Sequence, residues 1–156
     1  MRINSKLLII ICLLISVFVG CKKKSSVIAE PPDTTKPIIT VVQPTAGQAF
    51  VTGNTIAFQA SFSDNKELKS YEVTVSKVVT SGMILKIVPL VKPFSYTKPT
   101  TTFGTGVKQQ EVTLSDIVIP LHTATELVAT GKYNVKVTCS DTANNSAETI
   151  LEININ

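Results

Sequence analysis

The stretch GKYNVKVTC at residues 131–139 decides the fold class of this chain. Its apolar side chains recur at every second position: Tyr133, Val135, Val137 and Cys139. A period of two is typical of a β-strand that turns one face toward a hydrophobic core. The same alternation recurs in three further runs, at residues 56–62, 71–75 and 151–155. The chain is therefore expected to be built from half-buried strands.

Short β-type runs follow one another from residue 37 to the end of the chain, separated by turn-forming residues. We identify about seven, including a bulkier apolar stretch at residues 83–91, and find no convincing helical period. Residues 98–106 are rich in Thr, Pro and Gly and are not assigned to a strand. Residues 123–130 leave a single helical turn as an alternative. The pattern predicts an all-β fold, a seven-stranded immunoglobulin-like antiparallel β-sandwich over residues 37–156.

Ten side chains are expected in the core of this sandwich: Ile56, Phe58, Phe62, Tyr71, Val73, Tyr133, Val135, Val137, Leu151 and Ile153. Around one of them, the pattern Leu127-x-x-x-Gly131-x-Tyr133-x-Val135 resembles the tyrosine corner of immunoglobulin-like and fibronectin type III domains. That resemblance implies a hydrogen bond from the Tyr133 hydroxyl to backbone upstream. The alternative is a core tyrosine without this bond.

Residues 1–20 have the layout of a bacterial secretion signal, with a short basic start and an apolar run at residues 7–19. The run ends in Gly20-Cys21, which resembles the bacterial lipobox. This resemblance implies cleavage before Cys21 and attachment of a lipid to its thiol, so the chain is expected to contact a membrane through a lipid anchor. The alternative is an uncleaved anchor helix, for which the apolar run is short.

Residues 21–36 combine the lipid-bearing Cys21 with a polar, proline-containing segment that lacks apolar periodicity. We interpret this segment as a flexible linker. The chain is thus divided into a signal peptide (1–20), a lipidated linker (21–36) and a sandwich domain (37–156).

The formal net charge of +4 is located in the two leading segments. Arg2 and Lys6 belong to the signal, and Lys22, Lys23 and Lys24 follow the lipid attachment point. No basic stripe with interleaved aromatic residues is found in the sequence, so a nucleic-acid partner is not expected.

The residues that commonly carry catalysis are scarce in this sequence. Cys12 leaves with the signal and Cys21 carries the lipid, so Cys139 remains alone and no intramolecular disulfide is expected in the mature domain. His122 is the single histidine, in an expected loop. Motifs such as H-E-x-x-H and G-x-S-x-G are absent from the sequence. We therefore expect a protein that is not an enzyme and that requires no cofactor.

Three stretches carry a further resemblance: TKPIITVVQPTAGQAFVTG at 35–53, ASFSDNKELKSY at 60–71 and GKYNVKVTCSDTANNSA at 131–147. They resemble the opening, the second strand with its loop, and the sixth strand with its loop of bacterial immunoglobulin-like modules. The chain is similar, over residues 37–155, to a Bacteroidota lipoprotein family of unknown function. Members of that family often carry histidine-rich segments. This chain has His122 alone, which counts against a metal-delivery role based on histidine.

Acidic residues are placed where three loops of such a sandwich would gather at one end. Asp33 precedes the first strand, Asp64 follows the second, and Asp141 and Asn144 follow the sixth. Oxygen ligands from several loops are what Ca²⁺ prefers, so these four residues are candidate ligands for calcium. The alternative is that they are turn residues that bond to their own backbone.

Two threonines are candidate glycosylation sites. Asp33-Thr34-Thr35 and Asp141-Thr142-Ala143 resemble the acceptor tripeptide of the O-glycosylation system of the Bacteroidota. Because Thr34 and Thr142 lie at the end of the sandwich that carries the aspartates, a sugar at Thr142 and a bound cation are not expected together.

The function predicted from these features is a lipid-anchored, non-catalytic module of the cell envelope that binds or assists an envelope protein or a glycan. Loops 44–53 and 122–131, at the end away from the linker, are expected to be freest to meet a partner. Surface-exported Bacteroidota lipoproteins have acidic residues after the cysteine, and the lysines here favour the periplasmic face of the outer membrane. The alternatives are a metal-delivery or nutrient-uptake accessory to an outer-membrane receptor, and a small glycan-acting enzyme.

Overall fold

The structure, a computed structural model, describes residues 30–78 and 90–156. The predictions for the signal peptide, for Cys21, for most of the linker and for most of the stretch 83–91 lie outside the described residues. The chain divides into two units, Met1–Pro31 and Pro32–Asn156, and only the second is described below. Within the described residues, we find no helix with the length and hydropathy needed to cross a membrane.

The described residues form ten strands: β1 (Ile38–Gln43), β2 (Ala49–Phe50), β3 (Thr55–Ser63), β4 (Leu68–Lys77), β5 (Leu90–Lys92), β6 (Ser95–Thr102), β7 (Gln109–Val118), β8 (Glu126–Val128), β9 (Gly131–Asp141) and β10 (Ser146–Ile155). Seven are six or more residues long, and β2, β5 and β8 have two or three residues each.

Two sheets pack against each other. One has the order β1-β3-β7, and the other has the order β2-β10-β9-β4-β6. The seven long strands pair in antiparallel fashion within these sheets. The short strands add two parallel pairs, β2 with β10 and β5 with β8. The prediction of an all-β, immunoglobulin-like sandwich is confirmed.

Alternating burial produces the core. Along β9, Tyr133, Val135 and Val137 are fully buried, while the residues between them are partly exposed on the outer face. Nine of the ten predicted core residues are buried. The exception is Leu151, which is partly buried and packs against the core. At Leu151, β10 pairs with β9 on one side and with no described strand on the other, because β2 pairs only with Asn154 and Ile155.

The tyrosine corner is present. The Tyr133 hydroxyl donates a hydrogen bond to the Ala129 carbonyl at 2.5 Å and accepts one from the Phe94 amide at 3.2 Å. Burial raises the pKa of this hydroxyl. The residue therefore joins the turn before β9 to the start of β6, and the alternative of a tyrosine without the backbone bond is wrong.

Two local predictions need correction. Residues 123–130 contain strand β8 instead of a helical turn, and the Thr123 hydroxyl accepts a hydrogen bond from the Glu126 amide at its start. Residues 98–102, not assigned to a strand from the sequence, belong to β6. This strand lies at the edge of its sheet, and its register shifts beside Pro99. Proline is tolerated there because an edge strand leaves amides unpaired.

Strand direction gives the sandwich two ends. The linker end carries Asp33 and three turns, at residues 64–67, 103–108 and 142–145. The opposite end carries residues 44–54, 93–94 and 119–125. The antiparallel registers support this division: Ile38 pairs with Ser63 at the first end, and Thr55 pairs with Val118 at the second.

Candidate functional site

Three carboxylates converge at the linker end. Asp33, Asp64 and Asp141, which we term the acidic cluster, each place one oxygen so that all three oxygens lie within 4.8 Å of one another. Asp33 lies before β1, Asp64 directly follows β3, and Asp141 ends β9. The three aspartates chosen from the sequence therefore lie together. Calcium binding by them stays a prediction.

Each cluster residue also forms the local bonds of a turn residue. Asp64 Oδ2 accepts from the amides of Lys66 and Glu67 at 2.8 and 2.9 Å. Asp33 Oδ1 accepts from the Thr35 amide at 3.0 Å. This backbone hydrogen bond is the main reason that the pKa of Asp33 is lowered. The Asp33 carboxyl is therefore ionised at neutral pH. The alternative that these aspartates are turn residues accounts for part of the cluster's contacts.

Other oxygens of the cluster have no such partner. Within the described part of the chain, Asp33 Oδ2 and Asp64 Oδ1 are buried and accept no hydrogen bond. Asp141 is 0 % exposed, and its carboxylate accepts from the amide and side-chain nitrogen of Asn145 at 2.7 and 2.6 Å. The nearby negative charge also contributes, after burial, to raising the pKa of Cys139 to about 12. The site therefore concentrates negative charge around buried, unsatisfied oxygens.

Two adjacent asparagines have different roles at this end. Asn144 has a φ of 69°, in the left-handed region, and its Oδ1 accepts from Lys69 Nζ at 2.7 Å. Asn145, which the sequence argument did not select, donates to Asp141 and also to the Asp33 carbonyl, the latter at 3.2 Å. As a cation ligand, Asn144 stays a prediction that would require its oxygen to leave Lys69. Asn144 and Asn145 are neighbours of the same residue type in one turn, so the sequence does not show which of them joins the cluster.

The candidate glycosylation residues are accessible. Thr34 and Thr142 are both exposed, and each directly follows a member of the acidic cluster. Their glycosylation stays a prediction. His122 is exposed at the opposite end. Cys139 is 2 % exposed, and its raised pKa keeps the thiol protonated and unreactive at neutral pH.

The opposite end carries an apolar groove. It has a volume of about 500 Å³. Of its twelve lining residues, six are large apolar or aromatic ones, Phe94, Tyr96, Val118, Leu121, Leu127 and Val128, and four are polar or charged, Lys92, Ser95, Thr123 and Glu126. Of these, Val118 and Leu121 are 52 % and 71 % exposed. Lys92 and Glu126, at the groove, form an ion pair at 2.5 Å. Sequence reasoning anticipated the loop 122–131 here, but it missed the contribution of residues 92–96.

Leu121 is seated against the neighbouring turn. A Cβ atom on Gly53 would lie 2.5 Å from the Leu121 side chain, and Gly53 has a φ of +83°. The Gly53 amide donates to the Ile119 carbonyl at 3.0 Å, which joins the two loops. The Leu121 side chain therefore lies close to the Gly53 backbone, while most of its surface stays exposed.

Comparison with known proteins identifies a family. The family model described as a domain of unknown function (DUF4625) matches residues 19–156. No curated protein matches the chain.

Solved structures to which the chain is similar come from several bacteria. The fibronectin(III)-like modules of CbhA from Clostridium thermocellum are 14 % identical, with a TM-score of 0.41, and the match covers 76 % of this chain and 94 % of that one. A β-glucosidase from Listeria innocua is 11 % identical with a TM-score of 0.40; the match covers 75 % of this chain but only 16 % of the enzyme. Spo0M, a sporulation control protein from Bacillus subtilis, is 12 % identical with a TM-score of 0.39, over 77 % of this chain and 48 % of that one.

Proposed function

This chain belongs to the DUF4625 family, a domain of unknown function, and we propose that it is a lipid-anchored, non-catalytic module of the cell envelope. In this proposal the linker and the sandwich hold a protein-binding end away from the membrane. The binding end is the one that carries the apolar groove.

The observation that carries the proposal is the distribution of exposed apolar side chains. Seven large apolar residues are exposed among the described residues, and four of them are at the end opposite the linker: Val51, Val91, Val118 and Leu121. Of these four, Val118 and Leu121 line the groove, and apolar side chains exposed together commonly mark an interaction site. Strands of ten residues, such as β4 and β10, separate this end from the linker by about 33 Å.

The lining of the groove favours a protein partner that presents an apolar side chain. Its exposed walls are aliphatic, at Val118 and Leu121, and Phe94 is buried behind them. Glu126 is the one carboxylate among the described residues that line the groove, and it is paired with Lys92. Hydrolysis of a glycan ordinarily uses two carboxylates across the bond that is cleaved. A groove whose single described carboxylate is already paired with a lysine counts against the alternative of a small glycan-acting enzyme.

The anchor is proposed from the sequence. The apolar run that ends in Gly20-Cys21 supports lipidation of Cys21, and two or three acyl chains give stable membrane attachment. The twelve residues that follow Cys21, up to and including Asp33, reach up to about 40 Å when extended. Lys22, Lys23 and Lys24 support a position on the periplasmic face of the outer membrane.

Site-specific photo-crosslinking in intact cells tests the partner. A photoreactive residue at position 121 should give a discrete crosslinked protein, and one at the exposed Glu111, near the linker end, should not. Val118→Asp should remove the crosslink at 121 without changing the amount of protein, because it places a charge on the groove wall.

Three results would contradict the proposal. Identical products from positions 111 and 121 would mean that the groove has no special role. A glycan bound in place of a protein would correct the partner. Hydrolysis of a glycan that is lost on Glu126→Gln would overturn the non-catalytic assignment.

A further outcome would refine the proposal. If the protein crosslinked at position 121 is an outer-membrane receptor, the module is an accessory to uptake.

A further inference from the structure

The acidic cluster cannot be explained by turn formation alone. Turn bonds use Asp33 Oδ1 and Asp64 Oδ2, and Asp141 is satisfied by Asn145. The remaining oxygens, Asp33 Oδ2 and Asp64 Oδ1, are buried without a donor within the described residues. Buried carboxylate oxygens are nearly always partnered in folded proteins. A missing partner at two of them, in a site where three carboxylates meet, indicates a positively charged ligand.

We infer that the acidic cluster binds a calcium ion that fastens the end of the linker to the sandwich. The ligand atoms would be one carboxylate oxygen each from Asp33, Asp64 and Asp141, with water at the remaining positions. This site is independent of the apolar groove, which lies at the other end of the molecule.

The chemistry and the size of the site select calcium. Its donors are all hard oxygens, which suit Ca²⁺ and Mg²⁺ and not the softer transition metals. Oxygens separated by up to 4.8 Å can share a calcium ion, since two bonds of about 2.3–2.6 Å span that distance. Magnesium requires a near-octahedral arrangement with bonds of about 2.0–2.1 Å, which ligands from separate loops supply less readily. Ligands from three separate loops also suit the irregular coordination of calcium.

The three ligands differ in how firmly the fold holds them. Asp64 directly follows Ser63, which pairs with β1 on one side and with β7 on the other. Asp141 pairs with Leu68 of β4. Asp33 precedes β1 by several residues and belongs to no strand. Neutral donors hold it to the loops: Asn65 Nδ2 to its Oδ1 and Asn145 Nδ2 to its carbonyl, both at 3.2 Å.

Charge repulsion then makes the position of the linker depend on the cation. With the site empty, the Asp33 carboxylate is repelled by the other two carboxylates, and Asp33 is the member of the cluster that no strand holds. With calcium bound, the repulsion becomes attraction to a shared ion. Calcium therefore fixes residues 33–36 on the sandwich, and this shortens the part of the linker that is free.

Calorimetry and hydrogen exchange on the full chain, purified in detergent, test the inference. Calcium at millimolar concentration should bind and raise the melting temperature, while magnesium at the same concentration should give a much smaller shift. Asp64→Asn should weaken calcium binding at least tenfold. Asp116→Asn, which changes an exposed carboxylate on β7 outside the cluster, is the matched control and should leave calcium binding unchanged. Calcium should also slow exchange of the Thr34 and Thr35 amides.

Each contrary result is informative. No calcium binding by the unaltered chain, or equal binding of magnesium, overturns the calcium site. Unchanged binding in both Asp64→Asn and Asp33→Asn places the ion elsewhere. Asp33→Asn is included because Asp33 lies outside the strands. The site can therefore still be tested if the Asp64 variant misfolds. Calcium binding without slower exchange at residues 34–35 overturns the role of the ion in fastening the linker.

Discussion

Tyr133 shows how one side chain connects parts of the sandwich that are distant in sequence. Its ring is fully buried, and its hydroxyl bonds to both Ala129 and Phe94. The ring also lies 5.2 Å from Lys77 Nζ, which donates to the Thr130 carbonyl. The residue thus joins the end of β4, the start of β6 and the turn before β9.

Replacing Tyr133 with phenylalanine should therefore be destabilising. The change removes one hydroxyl and leaves a buried carbonyl and a buried amide unpaired, which costs about 1–3 kcal/mol. Urea denaturation measures this loss. Tyr96→Phe is the control, because its hydroxyl bonds to the exposed Asp116, and its cost should be below about 1 kcal/mol. Equal losses in the two variants would contradict the structural role of the corner.

Cys139 should make stability depend on alkaline pH. Burial, followed by the charges of Asp64 and Asp141, raises the pKa of the thiol from 9.0 to about 12. The native state keeps its proton where the unfolded chain releases it, so the stabilisation is complete below pH 9 and is lost as the pH rises toward 12. The free energy of unfolding should fall between pH 9 and 10, and fall less in Cys139→Val, as measured by denaturation at each pH. The same slope in both proteins would reject this account.

At the residue scale, the sequence predicted which aspartates meet but not which asparagine joins them. Asp64 and Asp141 lie at strand ends and Asp33 lies on the approach to β1, so strand order brings the three to one end. The choice between Asn144 and Asn145 depends on a backbone torsion angle, 69° at Asn144. Such an angle is set by the closed turn and leaves no mark on residue type, since asparagine is tolerated in either conformation.

At the scale of elements, the central strands hold most of the core. Strand β3 pairs with a neighbour on each side, and its Ile56, Phe58, Ala60 and Phe62 are fully buried. Phe62 also packs against Tyr71 and Phe103, with ring centroids 5.3 and 5.5 Å apart. The apolar side chains at every second position, from which this strand was predicted, are thus the side chains that fill the core.

Truncation of Phe58 measures the contribution of this strand. Phe58→Ala leaves a cavity between the sheets and should cost about 3–5 kcal/mol in unfolding free energy. Leu121→Ala, at a site that is 71 % exposed, should change stability by less than about 0.5 kcal/mol. Chemical denaturation of both variants makes the comparison, and a loss below about 1 kcal/mol for Phe58→Ala would be inconsistent with the packing described.

Strands at the edges of the sheets were harder to predict than central ones. Strand β6 exposes one edge to solvent, so its residues need not alternate strictly and Pro99 is tolerated within it. Strand β8 has three residues, too few for a period to be detected. Central strands, in contrast, are buried on their inner face along their length, and this burial is what creates a readable pattern.

At the scale of the whole molecule, strand direction separates two chemically different ends. The acidic cluster and the entry of the linker share one end, and four of the seven exposed large apolar side chains of the described residues lie at the other. Sequence order implied this division, because it fixes which loops lie at each end. The apolar groove could not be predicted, since it combines residues 92–96 with residues 118–128, whose contact arises from the parallel pair β5 and β8.

The central claim is that this sandwich acts while attached to a membrane by a lipid on Cys21. Metabolic labelling with a palmitate analogue, followed by fractionation of the envelope, tests it most directly. The unaltered chain should carry the label and fractionate with the outer membrane. Cys21→Ala should lose the label and leave the membrane fraction, because the acyl chains that hold the protein there would be absent. Unchanged labelling and membrane association of Cys21→Ala would contradict the account.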